Sequence, residues 1–323
     1  MMAAWLFCGL GLLILLLAGD ALVKGAVNLS LRMGVPALIV SLTIVAFGTS
    51  APELLISISA VLEGKPGLAL GNVVGSNTAN ILLVMGVPAI LAVLHTSAFE
   101  TRKSYLQMIA ATLVFIALAF RGQFDLVAAA VLLGCLAYMQ GDAVREAHKH
   151  GQACAAAPDC GADEEEEEVE GADPDMPWWQ IFVFLVLGLV GLPLGADLLV
   201  DNASIIAKAF GVSDAVIGLT LVALGTSLPE LATTVMAALR KQADVALGNV
   251  IGSNMFNLLA IIGITSLVGT IPVDEEFLEF DLWVMLGASL LIFPFVFMRQ
   301  DITRTWGIGL TALYVIYVFV VLI

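Results

Sequence analysis

Two short polar strings each occur twice in this otherwise apolar chain. The first reads Gly48-Thr49-Ser50-Ala51-Pro52-Glu53 and returns as Gly225-Thr226-Ser227-Leu228-Pro229-Glu230. The second reads Gly71-Asn72-Val73-Val74-Gly75-Ser76-Asn77-Thr78-Ala79-Asn80 and returns as Gly248-Asn249-Val250-Ile251-Gly252-Ser253-Asn254-Met255-Phe256-Asn257. Every candidate ligand in them is an oxygen: carboxylate, hydroxyl, amide or backbone carbonyl. Such a set suits hard cations. Ca²⁺ takes about 6–8 oxygens in flexible geometry, and Na⁺ is similarly hard and close in size. With neither His nor Cys in the strings, zinc and copper lack their preferred donors. Two glutamates balance one Ca²⁺ in charge, and the neighbouring oxygens can redistribute around Na⁺.

The prolines explain why backbone carbonyls join the set. Within a helix, proline removes one amide donor and crowds the carbonyl four residues back. Pro52 therefore frees the Gly48 carbonyl and disturbs that of Thr49, as Pro229 does for Gly225 and Thr226. In a bilayer, freed carbonyls are tolerated only where protein, water or an ion satisfies them. Glu53 lies one turn beyond Thr49 and close to Ser50, so hydroxyl, carbonyl and carboxylate share a face. In the second string Asn72, Ser76 and Asn80 recur every four residues, and Asn249, Ser253 and Asn257 repeat that stripe. Gly71 and Gly75, like Gly248 and Gly252, have the small-xxx-small spacing that lets helices approach closely. One such proline could be a plain kink, and one such glycine pair ordinary packing. An intramembrane carboxylate is costly and functional by default, and the whole set occurs twice in register. Asp20, matched by Asp197, is expected to pair with Lys24 one turn on as an interfacial anchor. Asp125, Asp201 and Glu279 read as end-of-span residues.

The elements that position these strings are membrane helices. The 323-residue chain is 60% hydrophobic and 13% charged, against about 25% charged in a soluble domain. Its apolar residues fall into ten segments, near 4–31, 36–62, 68–94, 105–120, 124–141, 178–207, 213–239, 245–270, 281–298 and 306–323. Many exceed the roughly 18 residues that suggest a bilayer span. The first lacks a basic residue before it and a convincing cleavage site after it, so it reads as a retained span. Between the two sets of five lies a hydrophilic stretch, 142–177, read as an acidic disordered linker because dense like charge and proline oppose folding. Ten acidic residues between Asp159 and Asp175 carry much of the net charge of −15 and leave −5 without them. No basic footprint for nucleic acid remains. Cys8, Cys135, Cys154 and Cys160 form no C-x-x-C pair.

The halves are copies. An offset of 177 residues aligns Leu42–Leu54 with Leu219–Leu231 at ten identities in thirteen, and Ala69–Asn80 with Ala246–Asn257 at nine in twelve. It also matches Gly34 with Gly211 and Gly86 with Gly263. Five spans per copy is odd, so the second copy enters the membrane from the opposite face. The expected fold is an all-α membrane protein of ten transmembrane helices in two inverted five-helix repeats, 1–141 and 178–323. Such transporters place their site near the midplane between repeats. Ten spans divide Lys and Arg ten to three between the faces. Basic residues gather in cytoplasmic loops, which puts both termini outside and the linker in the cytoplasm, with Cys154 and Cys160 as reduced thiols.

At these residues the chain resembles the cation/calcium exchanger superfamily, whose two α-repeats carry G-T-S-x-P-E and G-N-x-x-G-S-N. It looks most like the prokaryotic sodium/calcium exchangers, which have no large calcium-sensing domain. The resemblance covers both repeats. It implies that Glu53 and Glu230 are the central Ca²⁺ ligands, joined by the carbonyls of Thr49 and Thr226. Ala46, Ser50, Ser76, Ala223, Ser227 and Ser253 would line flanking Na⁺ sites, and Asn80 and Asn257 would close the middle. The first and sixth spans would slide during alternating access. Ca²⁺ and Na⁺ are then substrates in a prokaryotic inner membrane, with no separate cofactor and no obligate protein partner evident. Some relatives, potassium-dependent ones among them, carry Asp where this chain has Asn257, which lowers the case for K⁺. Proton-coupled members typically show G-N-x-x-E in place of G-T-S-x-P-E; H⁺ coupling is the alternative. A channel would not need paired inverted motifs, and an intramembrane enzyme using two acids would lack an obvious nucleophile.

Overall fold

A backbone in lipid must satisfy its polar groups internally, and this chain does so with helices. The computed structural model describes residues 1–96, 101–156, 173–211 and 223–321. The first half contains α1 (Met2–Met33), α2 (Ala37–Thr49), α3 (Ala51–Leu62), α4 (Pro66–Leu91), α5 (Arg102–Ala119) and α6 (Leu126–Ala156). The second contains α7 (Trp178–Ala209), α8 (Ala223–Thr226), α9 (Leu228–Leu239), α10 (Ala243–Val268), α11 (Phe277–Phe297) and α12 (Arg304–Val321). Among the described residues, eight helices are long and apolar enough to cross a membrane, or nine if α2 and α3, bent by 41° at Ser50, form one span. Of the expected segment 213–239, residues 213–222 lie outside the described ones; α8 and α9 are its remainder.

Helices α1 and α7 are the longest, 32 residues each. At 1.5 Å per residue each reaches about 48 Å, against a hydrocarbon core of about 30 Å. They run antiparallel in close contact. A Cβ on Gly11 would lie 2.6 Å from the Leu199 nitrogen, one on Gly195 2.9 Å from the Leu15 nitrogen, and one on Gly188 2.8 Å from the Leu22 Cα. Only glycine permits backbones this close. Helix α1 stops at Gly34, whose φ of 64° suits a left-handed cap, with Val35 N–H donating to the Ser30 carbonyl at 3.1 Å. Gly211, its counterpart, also has positive φ, 84°.

The two halves interlock instead of standing apart. Helix α12 packs on α4, where a Cβ on Gly86 would lie 3.0 Å from the Thr311 nitrogen. Helix α6 packs on α10, where a Cβ on Gly263 would lie 2.9 Å from Leu133. Short backbone pairings fasten both ends. Leu94 bridges Ile302 at one end of α4, while β1 (Gln123–Phe124) pairs antiparallel with β2 (Ile271–Pro272) at the other. Asp125 begins α6, accepting from Val127 N–H at 3.1 Å and Ala128 N–H at 3.0 Å. The Ala128 amide, then Arg121, hold its carboxyl below the usual carboxylate range.

The structure shortens the expected disordered linker at both ends. Helix α6 continues from Asp142 to Ala156. That segment is rich in Ala, Arg, Glu, Lys and Gln, good helix formers, and it is tied back to α5. Lys103 bridges Asp142 at 2.7 Å and also reaches Glu146, and Gln107 donates to Asp142 at 2.9 Å. At the far end, Asp173 N–H donates to Asn28 at 2.8 Å, Arg32 donates to the Pro174 carbonyl at 3.3 Å, and Met176 is buried. Residues 157–172, with Cys160 and the run Glu164–Glu168, lie outside the described ones, as does the Cys154 side chain.

Candidate functional site

Each proline-glutamate pair starts a helix directly after a break. Ser50 (φ −84°, ψ 2°) separates α2 from α3, and Ser227 (φ −88°, ψ 3°) separates α8 from α9. Pro52 and Pro229 occupy the first turn of the new helix, where a missing N–H costs little. Glu53 and Glu230 follow, both fully buried. An ionised carboxylate buried without a partner would be several kcal/mol or more out of balance.

The facing wall comes from α4 and α10. Asn72 donates to the Glu53 carbonyl at 3.3 Å and to Ser57 Oγ at 3.2 Å. In the other half Asn249 donates to the Glu230 carbonyl at 3.3 Å and to Thr234 Oγ1 at 3.1 Å. These four contacts match at the 177-residue offset. Ser57 and Thr234 were not singled out from the sequence, because they lie outside both strings. Their signal was there: each is four residues beyond its glutamate, at the same offset.

Contacts between halves complete the centre. Thr49 Oγ1 lies 3.3 Å from Asn249 Oδ1 and 3.4 Å from Ser253 Oγ. Ser50 donates to Glu230 Oε1 at 3.3 Å, and Asn80 Nδ2 donates to Asn254 Oδ1 at 3.1 Å. Ala46 is fully buried against α10, where Gly252 leaves room for it; a Cβ there would lie 2.6 Å from that of Ala46. Gly248 likewise admits Ser41, whose hydroxyl donates to the Val245 carbonyl at 2.6 Å. The offset would set Gly71 and Gly75 against 215–223, mostly outside the described residues. Ser76, Thr226, Ser227 and Asn257 are buried. Ala223 opens α8, and its side chain is outside the described ones.

Several buried oxygens here accept no hydrogen bond: both of Glu53, Oε2 of Glu230, Oδ1 of Asn80 and of Asn257, and the Ser227 hydroxyl. Buried polar atoms are nearly always partnered, so such a cluster, at two helix breaks, fits a cation as the missing partner. Another departure from linear helix geometry sits beside it. Wide π turns begin at Asn80 and around Asn257, so the Asn80 carbonyl accepts from Met85 N–H and the Asn257 carbonyl from Ile262 N–H, five residues on. Single π turns recur at functional sites.

Asp20 departs from expectation. It pairs with Arg240 at the end of α9, across 220 residues, while Lys24 lies over the Phe184 ring at 4.8 Å. Helical spacing made the Lys24 pair available, but packing of α1 on α9 offered a guanidinium instead.

A mostly helical membrane protein with broken helices and a buried cluster of polar oxygens has the make-up of a secondary cation transporter. A family model described as sodium/calcium exchanger protein matches residues 3–139 and 180–323, and the chain belongs to that family. It is similar to the sodium/calcium exchanger MaX1 of Methanosarcina acetivorans, 33% identical with 96% of each chain covered. It is also similar to the inner membrane protein YrbG of Escherichia coli, 32% identical over 93% of this chain and 90% of the relative. Among solved structures, the sodium-calcium exchanger NCX_Mj soaked with Na⁺ and Sr²⁺ superposes with a TM-score of 0.79 at 31% identity, covering 98% of this chain and 97% of that one. The protein is thus an integral membrane protein of a cation/calcium antiporter family.

Proposed function

We propose that this protein exchanges Ca²⁺ for Na⁺ by alternating access at the buried centre between its halves. Glu53 and Glu230 hold Ca²⁺ together with the carbonyls of Thr49 and Thr226. Ala46, Ser50, Ser76, Ala223, Ser227 and Ser253 serve flanking Na⁺, and Asn80 and Asn257 close the middle. Residues 1–141 and 178–323 act as two inverted five-span repeats joined by the acidic linker. The observation that carries this reading is the pair of fully buried glutamates whose unpartnered oxygens sit beside neutral oxygens at matched helix breaks. The antiparallel course of α1 and α7, equivalent segments of the two copies, supports the inversion. Their length suits helices that slide while remaining in the bilayer.

The decisive experiment is ⁴⁵Ca²⁺ uptake into proteoliposomes under Na⁺, H⁺ or K⁺ gradients. Only the Na⁺ gradient is expected to drive it, and uptake driven by H⁺ alone would select the proton-coupled alternative. Glu53→Gln and Glu230→Gln keep size and one carbonyl oxygen but leave a divalent ion short of a counter-charge. That costs several kcal/mol, or at least about a hundredfold in affinity. Near-normal exchange by either folded variant would overturn the site.

A further inference from the structure

Behind the two middle asparagines stands a second layer that no transported ion needs to touch. Asn254 Nδ2 donates to the Met108 sulfur at 3.8 Å, and Asn77 Nδ2 donates to the Met285 sulfur at 3.7 Å. Both pairs are buried, and each residue of one pair maps onto the other at the 177-residue offset. Asn254 then accepts through Oδ1 from Asn80 Nδ2 at 3.1 Å. The chain Met108–Asn254–Asn80 thus crosses from α5 to α10 to α4.

This chain has a direction. A thioether sulfur carries lone pairs and no hydrogen, so it accepts and never donates. It therefore fixes the Asn254 amide with nitrogen toward Met108 and oxygen toward Asn80. That oxygen also only accepts, so Asn80 must present its NH₂ to it. The carbonyl oxygen of Asn80 is left over, buried and without a hydrogen bond. Flipping either amide alone would set two acceptors or two donors face to face. Flipping both would set the Asn254 oxygen against sulfur and turn the Asn80 N–H groups to where a cation must sit.

In the second half the same chain is built but its last link is open. Asn77 reaches Met285, yet its Oδ1 has no partner, and the Asn257 amide is unpartnered at both nitrogen and oxygen.

We propose that Asn254 and Asn77, aimed by Met108 and Met285, are positioning residues that hold the amide oxygens of Asn80 and Asn257 toward the transported cation. The first relay is closed in this structure, and the second closes when Asn257 turns its NH₂ to Asn77. This rests on the reading above, in which Asn80 and Asn257 face the ion.

The test is a double-mutant cycle on Ca²⁺ KM and kcat in proteoliposomes, with equilibrium ⁴⁵Ca²⁺ binding to the purified protein as a second readout. Asn254→Leu is expected to raise the Ca²⁺ KM about tenfold and Met108→Leu about threefold, each acting on KM more than on kcat. In an Asn80→Ala background both changes should shrink to within about twofold, because the group they orient is gone. If Asn254→Leu fails to fold, the Met108→Leu cycle, nearly isosteric, decides alone. Equal effects with and without Asn80 would mean packing only and would overturn the relay. Glu53→Gln separates the two ideas. If it abolishes Ca²⁺ exchange while the cycle is additive, the site stands and the relay falls. If it leaves exchange intact, the site falls and takes the relay with it.

Discussion

At the scale of single residues, the candidate site combines two buried carboxyl groups with many neutral oxygens, and parts of it are held from behind. Asn72 and Asn249 each clamp the backbone carbonyl of a glutamate while being gripped by Ser57 or Thr234. Ser57→Ala removes one buried hydrogen bond and Thr234→Val two, since Thr234 Oγ1 also donates to the Glu230 carbonyl at 2.7 Å; each bond is worth about 1 kcal/mol. The expected outcome is a small loss of thermal stability with a Ca²⁺ KM raised about three- to tenfold. Glu63→Gln is the control, since Glu63 is exposed and paired with Lys65; it should leave both unchanged. Unaltered KM in Ser57→Ala and Thr234→Val would show that the clamps do not reach the ion. The glutamates, hydroxyls and stripe asparagines were legible in the sequence because carboxylates and a Pro break inside apolar runs have few structural uses. Their bracing was less so: Ser57 and Thr234 are unremarkable in composition, and the Met108 and Met285 partners belong to helices distant in sequence.

At the scale of elements, most of the described helices could be read from the sequence, and how they meet could not. Span positions follow from apolar length, and the break at Ser50 follows from Pro52. The π turns at Asn80 and Asn257 have no marker in residue type, and the extension of α6 to Ala156 depends on ion pairs with Lys103 that only packing creates. The Asp20–Arg240 pair is of the same kind, and its asymmetry has a consequence. At the 177-residue offset Asp20 maps to Asp197 and Arg240 to Glu63, two like charges. One end of the assembly therefore has an ion pair fastening α1 to α9, and the equivalent place in the other half cannot form one. Partly exposed pairs contribute about 0.2–1 kcal/mol, which biases a two-state equilibrium by up to about fivefold. The expected bias is toward the state closed at the Arg240 end. A cysteine replacing Met236, which packs against Gly19 of α1, reports on this. In Arg240→Gln its labelling from that end should rise about two- to fivefold. The swapped pair Asp20→Arg with Arg240→Asp should bring it back. Unchanged labelling in Arg240→Gln would remove the latch from the picture.

At the scale of the whole molecule, the interlocking of the halves ties orientation to fold. The last helix of each half packs on the other half, α6 on α10 and α12 on α4, although the sequence reads as two successive copies. Contacts also sort the connections into two ends. One end gathers Leu94 with Ile302, His95 with Asp301, Lys103 with Glu146, and Arg32 with Pro174. The other gathers Gln123 with Pro272, and Gly269, where a Cβ would lie 2.7 Å from Val61. A ten-span alternation would divide the connections in this way, and the Lys and Arg bias would put the first end in the cytoplasm. Single cysteines at Lys149, at the exposed end of α6, and at Glu275, exposed after β2, test it in a background lacking Cys8, Cys135, Cys154 and Cys160. A membrane-impermeant maleimide added to intact cells should label Glu275→Cys and not Lys149→Cys, and permeabilisation should expose the latter. Labelling of Lys149→Cys alone would reverse the orientation and leave the inverted halves intact. Labelling of both from outside would break the alternation itself, because an odd number of crossings must separate these positions if the second copy enters the membrane upside down.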